Sequence, residues 1–429
     1  MSLAARELPM LDAPPVATGG RVYGKTILAL ALVLRLGVVS MVLFRYPRNW
    51  LFSKAPDLVF VAHSLSSGRG LSSPFGGSTG PTAFLAPGYP AIIGLVFRLF
   101  GSYSFTSAVV IMGLQTLFAV LTVAVIMHIA RRIFGATTAN LAGVFWAVSP
   151  PLIWLPAVLW ETSLSTLLLT GMVALAIRAV NNPGKGLLVV MGAYCALAML
   201  VNPSLMLALF AILGWTIYQT RPVGRYEPRY ELWMCSLALL AVFAPWPLRN
   251  ARVLHAFIPL RSNFGYELWQ GNHPGATGVF DATIEPLQNK QEYADYAAKG
   301  EVVYMGEKST LAKAYIRAQP GRFIRLSAER VARFWTGAGS AANSGVIELH
   351  AVATSLLGVL GLAALCKERR VKDRARAMLF LLPILVFPLP YYITHPDFRF
   401  RLLLDPLLTI LGAYALTRLG SYWKIKRGA

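Results

Sequence analysis

The sequence is poor in charge. Only 14% of its 429 residues are Asp, Glu, Lys or Arg, while 56% are hydrophobic. Soluble domains carry about 25% charged residues, so a soluble enzyme is excluded. Acids are scarcer than bases, 19 against 40, giving a formal net charge of +21. The bases fall in short clusters between apolar runs, as loops on the positive side of a membrane do, so nucleic-acid binding does not follow. Cysteine is nearly absent: Cys195, Cys235 and Cys366 show neither metal-site spacing nor a disulfide framework. No short repeat is visible, and Trp, Tyr and Phe are plentiful, which excludes a disordered or fibrous chain. No cleavable signal precedes the first apolar run.

Long apolar runs are what the sequence does have, with a mean hydropathy of +0.55. A span needs roughly 20 such residues. About ten runs qualify, near 24–44, 104–130, 138–158, 160–180, 186–201, 204–219, 231–247, 347–366, 377–393 and 402–419. Pro150, Pro151 and Pro156 break the third, so a re-entrant element is possible there. The reading is a polytopic α-helical membrane protein with four regions. Residues 1–20 form a flexible cytoplasmic tail, 21–248 an N-terminal transmembrane module with an outer loop at 45–103, 249–346 a small α-rich outer domain, and 347–429 a C-terminal transmembrane module. With both termini inside, Arg21, Lys25, Arg131, Arg132, Lys185, Arg221, Arg225, Arg229, the run from Lys367 to Arg376, and Lys424, Lys426 and Arg427 all lie on one side. The segment 249–346 holds 12 bases and 8 acids. Within it, 309–318 and 321–336 read as amphipathic helices, with Arg322, Arg325, Arg330 and Arg333 as interfacial anchors.

Ionisable groups at membrane depth mark chemistry. The remaining acids, Asp57, Glu161, Glu348, Asp397 and Asp405, and the bases Arg249, His395, Arg399 and Arg401, all fall on the outer face. Asp57 follows Pro56 at the start of a short apolar helix, so it suits a first-turn carboxylate as well as a functional one. Glu161 is open to the same two readings. Pro87-Gly88-Tyr89-Pro90 leads into a second short helix, Ala91 to Phe100. Two arginines and a histidine between His395 and Arg401 can bind a phosphate through paired hydrogen bonds, against a charged loop as the plain alternative. Arg249, closing Pro245-Trp246-Pro247-Leu248-Arg249, is otherwise a snorkelling anchor.

Together these motifs resemble the bacterial membrane glycosyltransferases of the GT-C fold, in the family of protein O-mannosyltransferases and aminoarabinose transferases. The first outer loop with Asp57, Ser67-Gly68-Arg69-Gly70 and Gly80-Pro81-Thr82-Ala83 carries the resemblance. So do Leu99-Phe100-Gly101 with the span ending at Phe134-Gly135, Pro245 to Asn250 with Leu268 to Pro274, and His395 to Pro406. The resemblance implies a polyprenyl-phosphate sugar donor, undecaprenyl-linked, and a hydroxyl acceptor. It implies transfer with inversion and no metal or other cofactor. The active site would lie between the first outer loop and the outer domain, at the periplasmic side of a bacterial inner membrane. Asp57 would be the general base and Glu161 a second catalytic acid. Arg249, His395, Arg399 and Arg401 would hold the donor phosphate, and Tyr89, Asn250, Asn272 and His273 would line the substrate. Two departures stand out. The paired acidic motif is here a single acid, Asp57-Leu58, and no lysine stands ahead of Pro87, which argues against an aminoarabinose transferase. An O-antigen ligase or polymerase would also place outer arginines. A flippase or transporter would show repeats and mid-span charge, and neither is evident.

Overall fold

The computed structural model describes residues 11, 21–46, 50–184, 186–220, 229–339, 344–368 and 370–426. The expected tail at 1–20, Leu11 apart, and Lys185, Arg221, Arg225, Arg369 and Arg427 lie outside them. Among the described residues twenty α-helices follow one another. The first is α1 (Gly24–Arg45). The first loop then carries α2 (Pro56–Ser66) and α3 (Gly88–Phe100). Next come α4 (Phe105–Phe134), α5 (Ala136–Val148), α6 (Pro150–Trp154), α7 (Thr162–Asn181), α8 (Leu187–Val201) and α9 (Met206–Thr220). They are followed by α10 (Arg229–Phe243) and α11 (Pro245–Val253). The polar segment holds α12 (Phe264–Gly271), α13 (Lys290–Lys299), α14 (Glu301–Ala318) and α15 (Pro320–Thr336). The chain ends with α16 (Ser344–Cys366), α17 (Val371–Val386), α18 (Leu389–Ile393), α19 (Phe398–Arg401) and α20 (Asp405–Lys426). Among the described residues the only β pairing is an isolated antiparallel bridge, Ser72 to Pro81.

Among the described residues seven helical stretches are long and apolar enough to cross a membrane, so the chain is a multi-pass membrane protein. An eighth candidate, 136–157, bends by 62° between α5 and α6. Ser149-Pro150-Pro151 causes the break, because a proline offers no N–H and restricts the residue before it. Two expected spans differ. Helix α8 has only 15 residues because Asn202-Pro203 ends it. Helix α20 is long enough, but Asp405, Arg418 and its polar end keep it out of that apolar set. It is held instead by protein: it packs along α16, where a Cβ on Gly358 would come within 2.7 Å of Leu408. Small residues permit such close approach between helices in lipid.

The polar segment clamps the first loop. Phe75 and Phe84 of the loop pack with Tyr266, Tyr296, Tyr304 and Met305. Buried Glu301 accepts from Thr82 Oγ1, from the Ala83 N–H at 2.6 Å and from Tyr296 Oη at 2.8 Å. A carboxylate with three donors is satisfied without a cation. Of the two expected amphipathic helices, the first begins eight residues earlier, at Glu301, and the second matches. Arg330 is not an interfacial anchor. It is fully buried and donates to the carbonyls of Gly271 and Ile393, and to Asn272 Oδ1 at 3.1 Å, fastening the polar segment to the end of α18.

Candidate active site

A cavity of about 620 Å³ opens where α2, α3, the turn before α7, the α8–α9 junction, the polar segment and the stretch 395–400 meet. Each element delivers one kind of group. Pro56 fixes the start of α2, so Asp57 falls in its first turn, where its carboxyl takes the Leu58 N–H and lines the cavity. Val158 is extended ahead of α7, and Glu161, at the N-cap of that helix, joins the cavity lining. Tyr89 is anchored by its hydroxyl to Gln115 Oε1 (3.1 Å) and offers its ring. Asp397 caps α19 by accepting from the Arg399 N–H (2.9 Å), and this turns Arg399 inward.

Acids and bases therefore converge, as the sequence reading expects, for Asp57, Glu161, Asp397, His395 and Arg399. Lys54, Arg261, Glu267 and Glu285 join them. Arg399 is the group best placed to take an anion. Its guanidinium stands over the rings of Trp160 (5.3 Å) and Phe400 (4.9 Å), its nearest carboxylate oxygen is 4.0 Å away on Asp397, and its Nε has no partner among the described residues. Arg261 is steadied by donating from Nε to the Phe84 carbonyl (2.7 Å). His395 is committed differently, with Nε2 at 2.7 Å from Glu267 Oε2 and Nδ1 unpartnered.

The electrostatics separate the carboxyls. Enclosure raises the Asp57 carboxyl above its ordinary range; the Leu58 N–H and the charges of Arg399 and Arg261 oppose the rise, and Glu161 adds to it. Burial, with the charges of Asp57 and Glu267, pushes Glu285 up to about 7. Burial would raise Glu267 too, but the hydrogen bond and charge of His395, with Arg261 and Arg399, hold it below the usual value. Arg399 stays firmly cationic: burial disfavours its charge, and Asp397, Glu161, Asp57 and Glu267 more than compensate.

Five expected site residues are elsewhere. Arg401 is fully buried against Asp405 and donates to the Ala351 carbonyl, Thr354 and Ser355, so it cannot reach a donor phosphate. Arg249 spends its fork on the carbonyls of Thr82 (2.7 Å) and Leu71 (2.9 Å), where it braces the first loop. Asn250 donates to Ile258 O, and Asn272 to Leu268 O and Ile393 O, both as backbone supports. His273 sits 3.3 Å from Asp281, outside the cavity lining. Arg261, Glu267 and Glu285 were not singled out by the sequence. Glu267 directly precedes the Leu268-Trp269-Gln270-Gly271 motif, the nearest thing to a signal; the other two lie in irregular polar stretches that offer none. Among the described residues no three His, Cys, Asp or Glu side chains gather as a metal-ligand set.

Comparison with known proteins adds a family and a set of folds. The chain is similar to the oligosaccharyltransferase of Archaeoglobus fulgidus, solved with Zn and sulfate, at 14% identity and a TM-score of 0.48, over 93% of this chain and 50% of that one. It is similar to ArnT from Cupriavidus metallidurans, solved with undecaprenyl phosphate, at 14% identity and a TM-score of 0.41, over 92% of this chain and 78% of that one. The chain thus spans about half the length of the archaeal enzyme. No curated protein matches the sequence. Residues 85–248, from the first loop through α3 into α11, match the family model for dolichyl-phosphate-mannose-protein mannosyltransferase, the family likeness that the motifs of the sequence carry.

Proposed function

We propose that the chain transfers a monosaccharide from a polyprenyl-phosphate donor, undecaprenyl-linked, to a hydroxyl acceptor, at the outer face of a bacterial inner membrane with both termini cytoplasmic. One observation carries the reading: a single cavity, walled in part by the family-matching segment, sets Asp57 and Glu161 against the guanidinium of Arg399, whose Nε has no hydrogen-bond partner among the described residues, and that of Arg261. The acceptor oxygen attacks the anomeric carbon while Asp57 takes its proton. The bond from that carbon to the phosphate oxygen breaks, and its electron pair leaves with the polyprenyl phosphate. One displacement inverts the anomeric centre. Charge grows on the departing phosphate, so cations aimed there stabilise the transition state more than the bound donor. Glu161 orients the acceptor, and Tyr89, Trp160 and Phe280 offer the sugar apolar faces. A monophosphate leaving group is neutralised by Arg399 and Arg261 without a metal.

The test is release or transfer of labelled sugar from a panel of polyprenyl-phosphate sugars by the protein in lipid nanodiscs. Turnover that EDTA leaves unchanged is expected. Arg399→Gln should lower kcat/KM on the order of 10²–10³-fold, the cost of removing one preorganised charge-stabilising donor. Turnover only from nucleotide sugars or polyprenyl pyrophosphates, or an unchanged Arg399→Gln, would overturn the reading.

A further inference from the structure

At the other end of the bundle, α4, α7 and α8 enclose a second cavity of about 700 Å³. Its distance from the first follows from the helices: α7 leaves Glu161 in the candidate active site and reaches this cavity only from Gly171 to its last residues. Chemically it is unlike the first. His128, Arg132 and Arg178 stand at its mouth, and Leu175, Ile177 and Val190 are among its walls, with no carboxylate in the lining. Arg178 has no carboxylate partner among the described residues, and it is solvent- or lipid-exposed like His128 and Arg132. Asp373 is paired with Arg376 at 2.7 Å and Glu368 with Arg418 at 2.6 Å, and Glu231, in the first turn of the α10 helix that packs on α8, is outside the lining.

The inner end is also shaped. The Tyr194 hydroxyl donates to Leu168 O at 2.8 Å and occupies the place a Cβ on Gly171 would need, so the ring forms the cavity's end wall. From Asn182 at the mouth to Gly171 the helical rise is roughly 16 Å. That is about half of a hydrocarbon core of roughly 30 Å, the reach of one leaflet's acyl chain. A polyprenyl chain would overrun it.

We propose that this cavity is a binding site for an acidic glycerophospholipid, its phosphate held by His128, Arg132 and Arg178 and one acyl chain laid against Leu175, Val190 and Tyr194. Charge and length argue for the occupant together. A phosphodiester meets three bases at the level where helix ends meet headgroups, and the chain meets a slot one leaflet deep. The site is independent of the transfer reaction and does not rest on it.

Native mass spectrometry of the full chain, delipidated and then titrated with phosphatidylglycerol or phosphatidylcholine, tests it. One phosphatidylglycerol should be retained with a preference of about 30-fold, as two arginines near one headgroup support. Arg132→Gln/Arg178→Gln should bring the two lipids to within about 3-fold of each other. Val190→Trp alters an exposed residue, fills the slot and keeps the cations, so it should abolish retention of either lipid while the protein stays monodisperse. Equal retention of the two lipids by the unaltered protein, undiminished phosphatidylglycerol binding in both variants, or preferential retention of undecaprenyl phosphate would each overturn the assignment.

Discussion

Asp57→Asn should slow sugar transfer by orders of magnitude while leaving donor binding in place. A positioned general base contributes about 10²–10⁴-fold, and kcat should fall by that factor. The amide keeps the shape of the carboxyl and the first turn of α2, whose start is set by Pro56. Donor affinity should hold or tighten, because a negative charge leaves a cavity that must accept a phosphate. The pH dependence separates a base from a structural acid. Enclosure raises the Asp57 carboxyl, and the base works ionised, so the rate falls as pH drops through that raised value. Glu161→Gln removes a like charge that contributes to the rise, so it should move this acidic limb to lower pH. Glu285 titrates near 7 in the same cavity, and Glu285→Gln serves as the control: the Asp57 limb should survive it. Stability should not suffer in Asp57→Asn, since the variant removes a carboxylate whose charged form is disfavoured where it sits. Full activity in Asp57→Asn with loss in Glu161→Gln would transfer the role of base to Glu161.

Residue type and depth along the apolar runs are legible in the sequence; the direction of a side chain is not. The spans were readable because lipid demands long unbroken apolar stretches, and the bend at 136–157 because prolines stand where it occurs. Helix α20 carries charge at both ends and is covered largely by protein, so its apolar pattern is weaker than that of the lipid-facing spans. The same limit governs the site. Asp57, Glu161, His395 and Arg399 were placed on one face by depth alone, and the fold brings them together. Arg249 and Arg401 share that depth and are equally cationic, yet one braces loop carbonyls and the other is buried in a pair. Only the rotation of α11 and α19 decides this. Arg261, Glu267 and Glu285 lie in a segment of ordinary polar composition, where an extra charge attracts no notice until Glu301 clamps the first loop onto it.

Breaking the buried pair behind the site should cost more stability than any other single change. Arg401 and Asp405 are both inaccessible. The network around them runs on from Asp405 Oδ2 to His350 Nε2 at 2.8 Å, and from His350 Nδ1 to Ser149 Oγ at 2.8 Å. It joins the break between α5 and α6 to α16, α19 and α20. A serine, a histidine and an aspartate in line resemble a nucleophile relay. Here, however, the aspartate is neutralised by Arg401 and none of the three lines the candidate active site, so the chain of bonds is a structural strut. Asp405→Leu leaves a buried guanidinium without its counter-charge, held only by the Ala351 carbonyl and two hydroxyls, which costs about 3–5 kcal/mol and should lower the thermal midpoint in nanodiscs by about 5 °C. Arg401→Met in the same background removes the orphaned charge and should restore more than half of that loss, because a buried pair replaced by apolar side chains is often near neutral. Catalysis distinguishes strut from ballast. Arg399 sits two residues before Arg401 on the four-residue α19, so the doubly altered protein should regain stability yet keep a raised KM for the donor. Equal midpoints for the single and double variants would show that the two charges are not coupled. A normal KM in the double variant would show that the Asp397 cap alone fixes Arg399.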